Sequence, residues 1–159
     1  MAKPICYFLV GVPGSGKSTW MAPILKKFPN TVLVSSDQYI EQAAAKAGKT
    51  YGEVFQNEIK SATAKMNASI DAAVKQQKDI IWDQTNLTPE SRRKKISRLT
   101  GYDIVAVCFE ISAPELARRQ IKRKAESGKE VPAHIIQSML NQYVRPTTSE
   151  GFSKVIVVN

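Results

Sequence analysis

With 159 residues, 43% of them hydrophobic, the chain carries enough apolar material for the core of one ordinary domain, which excludes a disordered polypeptide. A net charge of +9 points to a polyanionic partner, and a single histidine beside two cysteines excludes a His-rich or Cys-rich metal site. The longest apolar run near the N-terminus, ICYFLV at residues 5–10, is too short for a signal sequence or a membrane span, so a cytoplasmic location with reduced, buried Cys6 and Cys108 is expected.

In chain order, residues 5–10 read as a central parallel strand covered on both faces, because the run is apolar without alternation. Residues 11–16 form a loop, and a helix is expected from Lys17 to about Lys27, interrupted in principle by Pro23. TVLVS at residues 31–35 is a second strand. Residues 37–46 are helical and end at Gly48, and residues 51–77 form a long helix rich in Ala, Lys, Glu and Gln. DIIW at residues 79–82 is a third strand. Thr88-Pro89-Glu90 combines a capping hydroxyl, a first-turn proline and an acid, so a helix is expected from there to about Leu99, closed by Gly101. IVAVCFE at residues 104–110 is a fourth strand, and Ser112-Ala113-Pro114-Glu115 opens a helix running to about Glu126. After Ser127-Gly128-Lys129, Val131-Pro132 leads into a helix whose Ile135, Ile136, Met139, Leu140 and Tyr143 recur at helical spacing and are expected to pack on the core. VIVV at residues 155–158 is a fifth strand. Strands alternating with helices in one domain, residues 1–159, give an α/β fold with a parallel sheet and helices on both faces. The charged stretch at about residues 115–131 is expected to be a lid rather than a linker.

Residues 11–18, GVPGSGKS, match the phosphate-loop pattern G-x-x-x-x-G-K-[ST] between an apolar strand and a helix. Glycines let successive backbone N–H groups turn inward on phosphate oxygens, and the helix N-terminus adds partial positive charge. Gly11, Pro13, Gly14, Ser15, Gly16, Lys17, Ser18 and Thr19 are therefore the expected nucleotide-binding set, for ATP or GTP. Lys17 is expected to reach the β- and γ-phosphates and Ser18 to ligate Mg²⁺.

An acceptor of the phosphoryl group is expected beyond the carboxyl ends of the strands. Asp37 follows the second strand there and is a candidate base, or a helix cap. Asp83 ends the third strand, where an acid can hold Mg²⁺ or its water shell, or simply make a turn. Gln84, Thr85 and Asn86 follow it and are candidates to line the acceptor. Arg119 and Arg123 lie four apart on one helical face and can neutralise a transferring phosphoryl group. Eleven of the 23 basic residues fall in two clusters, Arg92–Arg98 and Arg118–Lys129, which either bind a polyanion or form solvated helix faces. Tyr39, Tyr51 and Phe55 can stack on a base or pack inside. His134 is read as ordinary.

Together GVPGSGKSTW, SSDQYI, IWDQTNLTPESRR, ELARRQIKR and EVPAHIIQSM resemble the phage-type polynucleotide 5′-kinases, and also the P-loop domain of the heterogeneous nuclear ribonucleoprotein U-like proteins. The resemblance spans nearly the whole chain. It implies an adenylate-kinase-like core of five parallel strands with a helical lid. It also implies that Asp37 activates an acceptor 5′-hydroxyl, that Asp83 opens the D-T-N-L-type segment, and that Arg123, with Arg119 as a second basic position, comes from the lid. Two departures stand out. Gln84 is inserted after Asp83, and Ile40 occupies the position at which T-even phage kinases have an arginine that grips an acceptor phosphate. The expected function is transfer of the ATP γ-phosphate to a 5′-hydroxyl of DNA or RNA, with nucleic acid as partner and no membrane association. A small-molecule kinase acting on a nucleoside, sugar or antibiotic, and a nucleotide-gated nucleic-acid binding module, are the alternatives.

Overall fold

A computed structural model describes residues 2–129 and 131–159. Five parallel strands, β1 (Ile5–Val10), β2 (Val32–Val34), β3 (Ile80–Asp83), β4 (Asp103–Phe109) and β5 (Lys154–Val158), lie in the order β2-β3-β1-β4-β5. β1 sits at the centre, with Phe8 beside Trp82 of β3 on one side and Ala106 of β4 on the other. Helices α1 (Lys17–Lys27), α2 (Asp37–Ala47), α3 (Tyr51–Lys75), α4 (Pro89–Ser97), α5 (Ala113–Ser127) and α6 (Ala133–Gln142) connect them.

The continuous apolar run of β1 is resolved into two faces by the two-residue period of a strand. Cys6, Phe8 and Val10 join Ile80, Trp82, Ile104, Ala106 and Cys108 beneath Met66, Ile70 and Ala73 of α3. Leu9 turns the other way, with Ile81, Val107 and Phe109, against Trp20, Met21, Ile24 and Leu25 of α1. Helices on both faces, as expected, leave both cysteines fully buried as free thiols. Burial pushes both thiols up, Cys108 to about 11, so neither is a thiolate at neutral pH.

Pro23 does not end α1, which runs unbroken from Lys17 to Lys27. α2 and α3 form a hairpin closed by Gly48, which sits at φ 68°. Thr50 starts α3 with a reciprocal capping box: its hydroxyl accepts from the Glu53 N–H, and the Glu53 carboxylate accepts from the Thr50 N–H at 2.9 Å. Between these helices Ile40, Ala44, Val54 and Ala62 make a separate apolar cluster. Ile40 is fully buried there, so at this point of departure from the phage-type kinases the side chain faces the protein interior. The apolar face of α6 packs on buried residues as expected, save for Ile135. Its Ile136, Met139 and Leu140 pack with Val12, Leu87 and Leu116 in a small cluster separate from the two sheet faces, and Ile135 is exposed.

The basic run on α4 is not a uniform surface. Arg92 is completely buried, donating from Nε and Nη2 to both carboxylate oxygens of Glu150 at 2.8 and 3.2 Å, and from Nη1 to the Asn86 carbonyl at 2.8 Å. Lys95 turns inward to donate to Asn86 Oδ1 at 2.5 Å. Arg93 and Lys94 are exposed. Among the described residues no helix is long and apolar enough to cross a membrane.

Candidate active site

The chain leaves β1 at Val10 and enters the loop at residues 11–16, anchored by the Gly11 N–H donating to the Thr85 carbonyl at 3.0 Å. Gly14 and Gly16 adopt φ of 82° and 107°, a region closed to most L-residues, and Gly16 is the N-cap of α1. The turn also needs the space. A Cβ on Gly14 would stand 2.5 Å from Gln120 Nε2, and one on Gly16 would stand 3.0 Å from Arg119 Nη1. α5 therefore lies directly over the loop, and Gln120 donates to the Pro13 carbonyl.

A cleft of about 1150 Å³ opens at the carboxyl ends of β1, β2 and β3. Pro13, Gly14, Ser15, Gly16, Lys17, Ser18 and Thr19 form its floor. Lys17 Nζ lies 3.7 Å from Asp83 Oδ1 and donates to the Gln84 carbonyl at 3.3 Å. Burial lowers the Lys17 ammonium from its ordinary value, opposed by the charges of Asp83 and Asp37. Burial likewise raises the Asp83 carboxyl, opposed by Lys17. Each charge thus restrains the titration of its partner.

Asp37 begins α2 but does not cap it: Ser36 is the N-cap residue, and no side chain makes the capping bond. The Asp37 carboxylate is exposed at the cleft and accepts from the Tyr51 hydroxyl at 2.5 Å. Arg119, Lys122 and Arg123 of α5 line the cleft opposite, with Lys129 beyond them. Arg119 Nε donates to Glu115 Oε1 at 2.9 Å. Among the described residues two buried polar atoms here have no hydrogen-bond partner, Ser15 Oγ and Arg123 Nη1. An orphaned hydroxyl in the loop and an orphaned guanidinium nitrogen on α5 are unusual in a folded protein and fit a site built for an anion with several acceptor oxygens. Phosphate oxygens meet that description, so the loop residues, Lys17, Ser18 and Asp83 fit a nucleoside triphosphate with a hard divalent cation.

Of the residues expected at the acceptor, Gln84 and Thr85 line the cleft. The Gln84 side chain is already engaged, accepting from Trp82 Nε1 at 3.1 Å and donating to Ser36 Oγ at 3.3 Å. Asn86 does not line the cleft. It is 2% exposed at φ 50°, and its Nδ2 donates to the Leu9 carbonyl at 2.8 Å. That bond pins the end of β3 to β1. Tyr39 is also set back, half-buried against the core with Lys65 Nζ 5.9 Å from its ring. Tyr51 and Phe55, by contrast, line the cleft with rings tilted at 5.8 Å between centroids. Lys129 pairs with Glu41 and stands 5.3 Å from the Tyr51 ring. The contacts of Tyr51, Gln120, Lys129 and Glu41 were not foreseen from spacing, because each joins segments far apart in sequence.

Residues 7–146 match the family model described as AAA domain (AAA_33). The chain is 29% identical over 150 residues to the bifunctional polynucleotide phosphatase/kinase of Schizosaccharomyces pombe, an alignment covering 92% of this chain and 31% of that protein. It spans about a third or less of the length of the curated relatives it matches. Among solved structures, it is similar to a chain of the Pnkp1/Rnl/Hen1 RNA repair complex, with 28% identity, a TM-score of 0.71, and coverage of 89% of this chain and 44% of that one. Shikimate kinase from Acinetobacter baumannii, at 18% identity and a TM-score of 0.60 over 99% of this chain and 85% of that one, shares the fold. Phosphate loop, sheet order and family match agree, and the chain belongs to the AAA_33 family of AAA domains, built on the P-loop kinase fold.

Proposed function

We propose that the protein transfers the γ-phosphate of ATP to a 5′-hydroxyl end of DNA or RNA. The observation that carries the phosphotransfer reading is the single cleft that holds the phosphate loop, Asp37, Asp83 and the α5 arginines together. The polynucleotide acceptor is supported by the similarity to a polynucleotide phosphatase/kinase and to an RNA repair complex chain, and by the net charge of +9.

In this reading Ser15, Lys17 and the loop amides hold the β- and γ-phosphates, and Ser18 with Asp83 holds Mg²⁺. When bound there, the metal would supply positive charge that offsets the charge of the phosphate oxygens. Asp37 takes the proton of the acceptor hydroxyl as its oxygen bonds to the γ-phosphorus and the bond to the ADP oxygen breaks. Arg119 and Arg123 balance the charge that spreads over the phosphoryl oxygens, a role suited to Arg123 Nη1, which has no partner among the described residues. Helix α5 and the chain to residue 131 then act as a lid, already resting on the loop through Gln120.

The test is incubation with γ-labelled ATP, Mg²⁺ and a short 5′-hydroxyl oligonucleotide, reading label on the oligonucleotide. Asp37→Asn is expected to keep ATP binding and lower kcat by about 10²–10⁴-fold, the range for a lost general base. Full activity in that variant would refute the base assignment. A second reading, a small-molecule hydroxyl as acceptor, is favoured by the burial of Ile40, which leaves that turn of α2 without a cation toward an acceptor strand. Rates that neither rise with oligonucleotide length nor fall with salt would support it.

A further inference from the structure

Tyr51 stands at the first turn of α3, where the Thr50–Glu53 capping box sets the start of the helix. Among the described residues its hydroxyl has one partner, Asp37 Oδ1 at 2.5 Å, across the α2–α3 hairpin. Among the described residues Asp37 Oδ2 accepts no hydrogen bond, and the carboxylate is open to the cleft. Three contacts limit movement of the ring. Phe55 lies one helical turn on, the Lys129 ammonium stands 5.3 Å from the ring centroid, and the side chain packs beside the apolar cluster of α2 and α3. An exposed aspartate on a first helical turn otherwise samples several rotamers, and few of them aim a lone pair at one point in the cleft.

We infer that Tyr51 is a positioning residue: its phenol fixes the Asp37 carboxylate through Oδ1 so that Oδ2 faces the acceptor hydroxyl and receives its proton. The tyrosine keeps its own proton throughout and forms no bond to substrate. This role rests on Asp37 as the proton acceptor and is independent of which hydroxyl is phosphorylated. Lys129 ties the ring to the segment after α5, so the base is oriented when that segment lies against α2 through Glu41. A purely packing role for Tyr51 makes a different forecast, since phenylalanine keeps the ring, its contact with Phe55 and its face toward Lys129.

The experiment is a double-mutant cycle of Tyr51→Phe and Asp37→Asn in the full chain, with two turnover readouts. These are labelled transfer to a 5′-hydroxyl oligonucleotide, and ATP hydrolysis with water as acceptor. Tyr51→Phe is expected to lower kcat by about tenfold, the scale of one hydrogen bond to a charged group, with KM for ATP within about twofold of wild type. On the Asp37→Asn background the same change is expected to have no further effect. Wild-type kcat in Tyr51→Phe, or an equal loss on both backgrounds, overturns the inference. Absence of labelled oligonucleotide with ATP hydrolysis intact sinks the polynucleotide acceptor and leaves Tyr51 judged on hydrolysis. The same four proteins are compared by thermal unfolding. A Tyr51→Phe shift in Tm that is identical with and without the Asp37 carboxylate shows that the pair is not coupled, and overturns the inference without reference to turnover.

Discussion

Lys95 illustrates how a single side chain departs from the surface role its neighbours suggest. Its ammonium sits against Asn86 Oδ1, 5.9 Å from the Trp82 ring, and burial with the nearby charge of Lys17 pushes it down to about 8. The unfolded chain holds that proton to an ordinary lysine value, so between about pH 8 and 10.5 the unfolded state binds more protons than the folded one. Stability referable to Lys95 therefore rises with pH across that window. It is lowest below about pH 8, where the folded protein must carry a buried charge. Urea unfolding from pH 7 to 10.5 is expected to show this upward slope in wild type relative to Lys95→Met, in which the contribution is removed. Parallel curves for the two proteins would show that Lys95 is as free to ionise in the folded chain as in the unfolded one. Asp37 and Tyr51 belong to the same scale. Asp37→Asn tests the proton acceptor, and Tyr51→Phe tests what aims it.

Elements are held in register by a few polar fasteners as much as by apolar packing. Arg92 is the clearest case. Three of its N–H groups reach across from α4, two to the Glu150 carboxylate in the short 3-10 turn Thr148–Glu150 before β5, and one to the Asn86 carbonyl after β3. A buried, bidentate ion pair contributes little beyond an apolar substitute, but removing one partner strands the other. Arg92→Ala is expected to destabilise the fold by about 3–5 kcal/mol, measured as a fall in the urea midpoint with the m-value unchanged. Arg93→Ala, one residue on and exposed, is the control and is expected to change stability by about 0.5 kcal/mol or less. Comparable losses in both would mean that α4 is sensitive as a helix and that the Glu150 clamp is not its anchor.

At the scale of the whole molecule the charge of +9 is distributed unevenly about the cleft. Arg119, Lys122, Arg123 and Lys129 line it, whereas Arg118 points outward, and Arg93 and Lys94 lie exposed on α4. If the acceptor is a polynucleotide, its binding follows counterion release, with about 0.7 in the slope of log affinity against log salt for each single-strand phosphate engaged. The apparent affinity for an oligonucleotide is expected to fall steeply with salt, and replacing Lys122, which lines the cleft, by alanine is expected to make that slope shallower. Fluorescence anisotropy over a range of NaCl concentrations measures both. A slope near zero in wild type would argue for a small, weakly charged acceptor.

Much was determined by the local sequence because the physics there is local. The period of apolar residues, the Thr88-Pro89 and Gly48 helix boundaries, and the spacing of Gly11, Gly16, Lys17 and Ser18 each act within a few residues. So the parallel sheet, its helices and the phosphate loop are legible in the sequence alone. Asp37, Asp83, Arg119 and Arg123 were legible as cleft residues for a related reason: in a parallel sheet the carboxyl ends of the strands share one edge. Other outcomes depended on pairings that no spacing encodes. Arg92 and Lys95 look identical to Arg93 and Lys94 in a basic run, and only the approach of Glu150 and Asn86 draws the first two inward. Asn86 reads as a turn residue aimed at substrate until its amide is seen bonded to Leu9. Ile40 and Tyr51 are decided by the closing of α2 onto α3, which buries one and sets the other against Asp37. Burial and charge pairing are properties of the folded neighbourhood, and that neighbourhood comes into being only when segments distant in the chain meet.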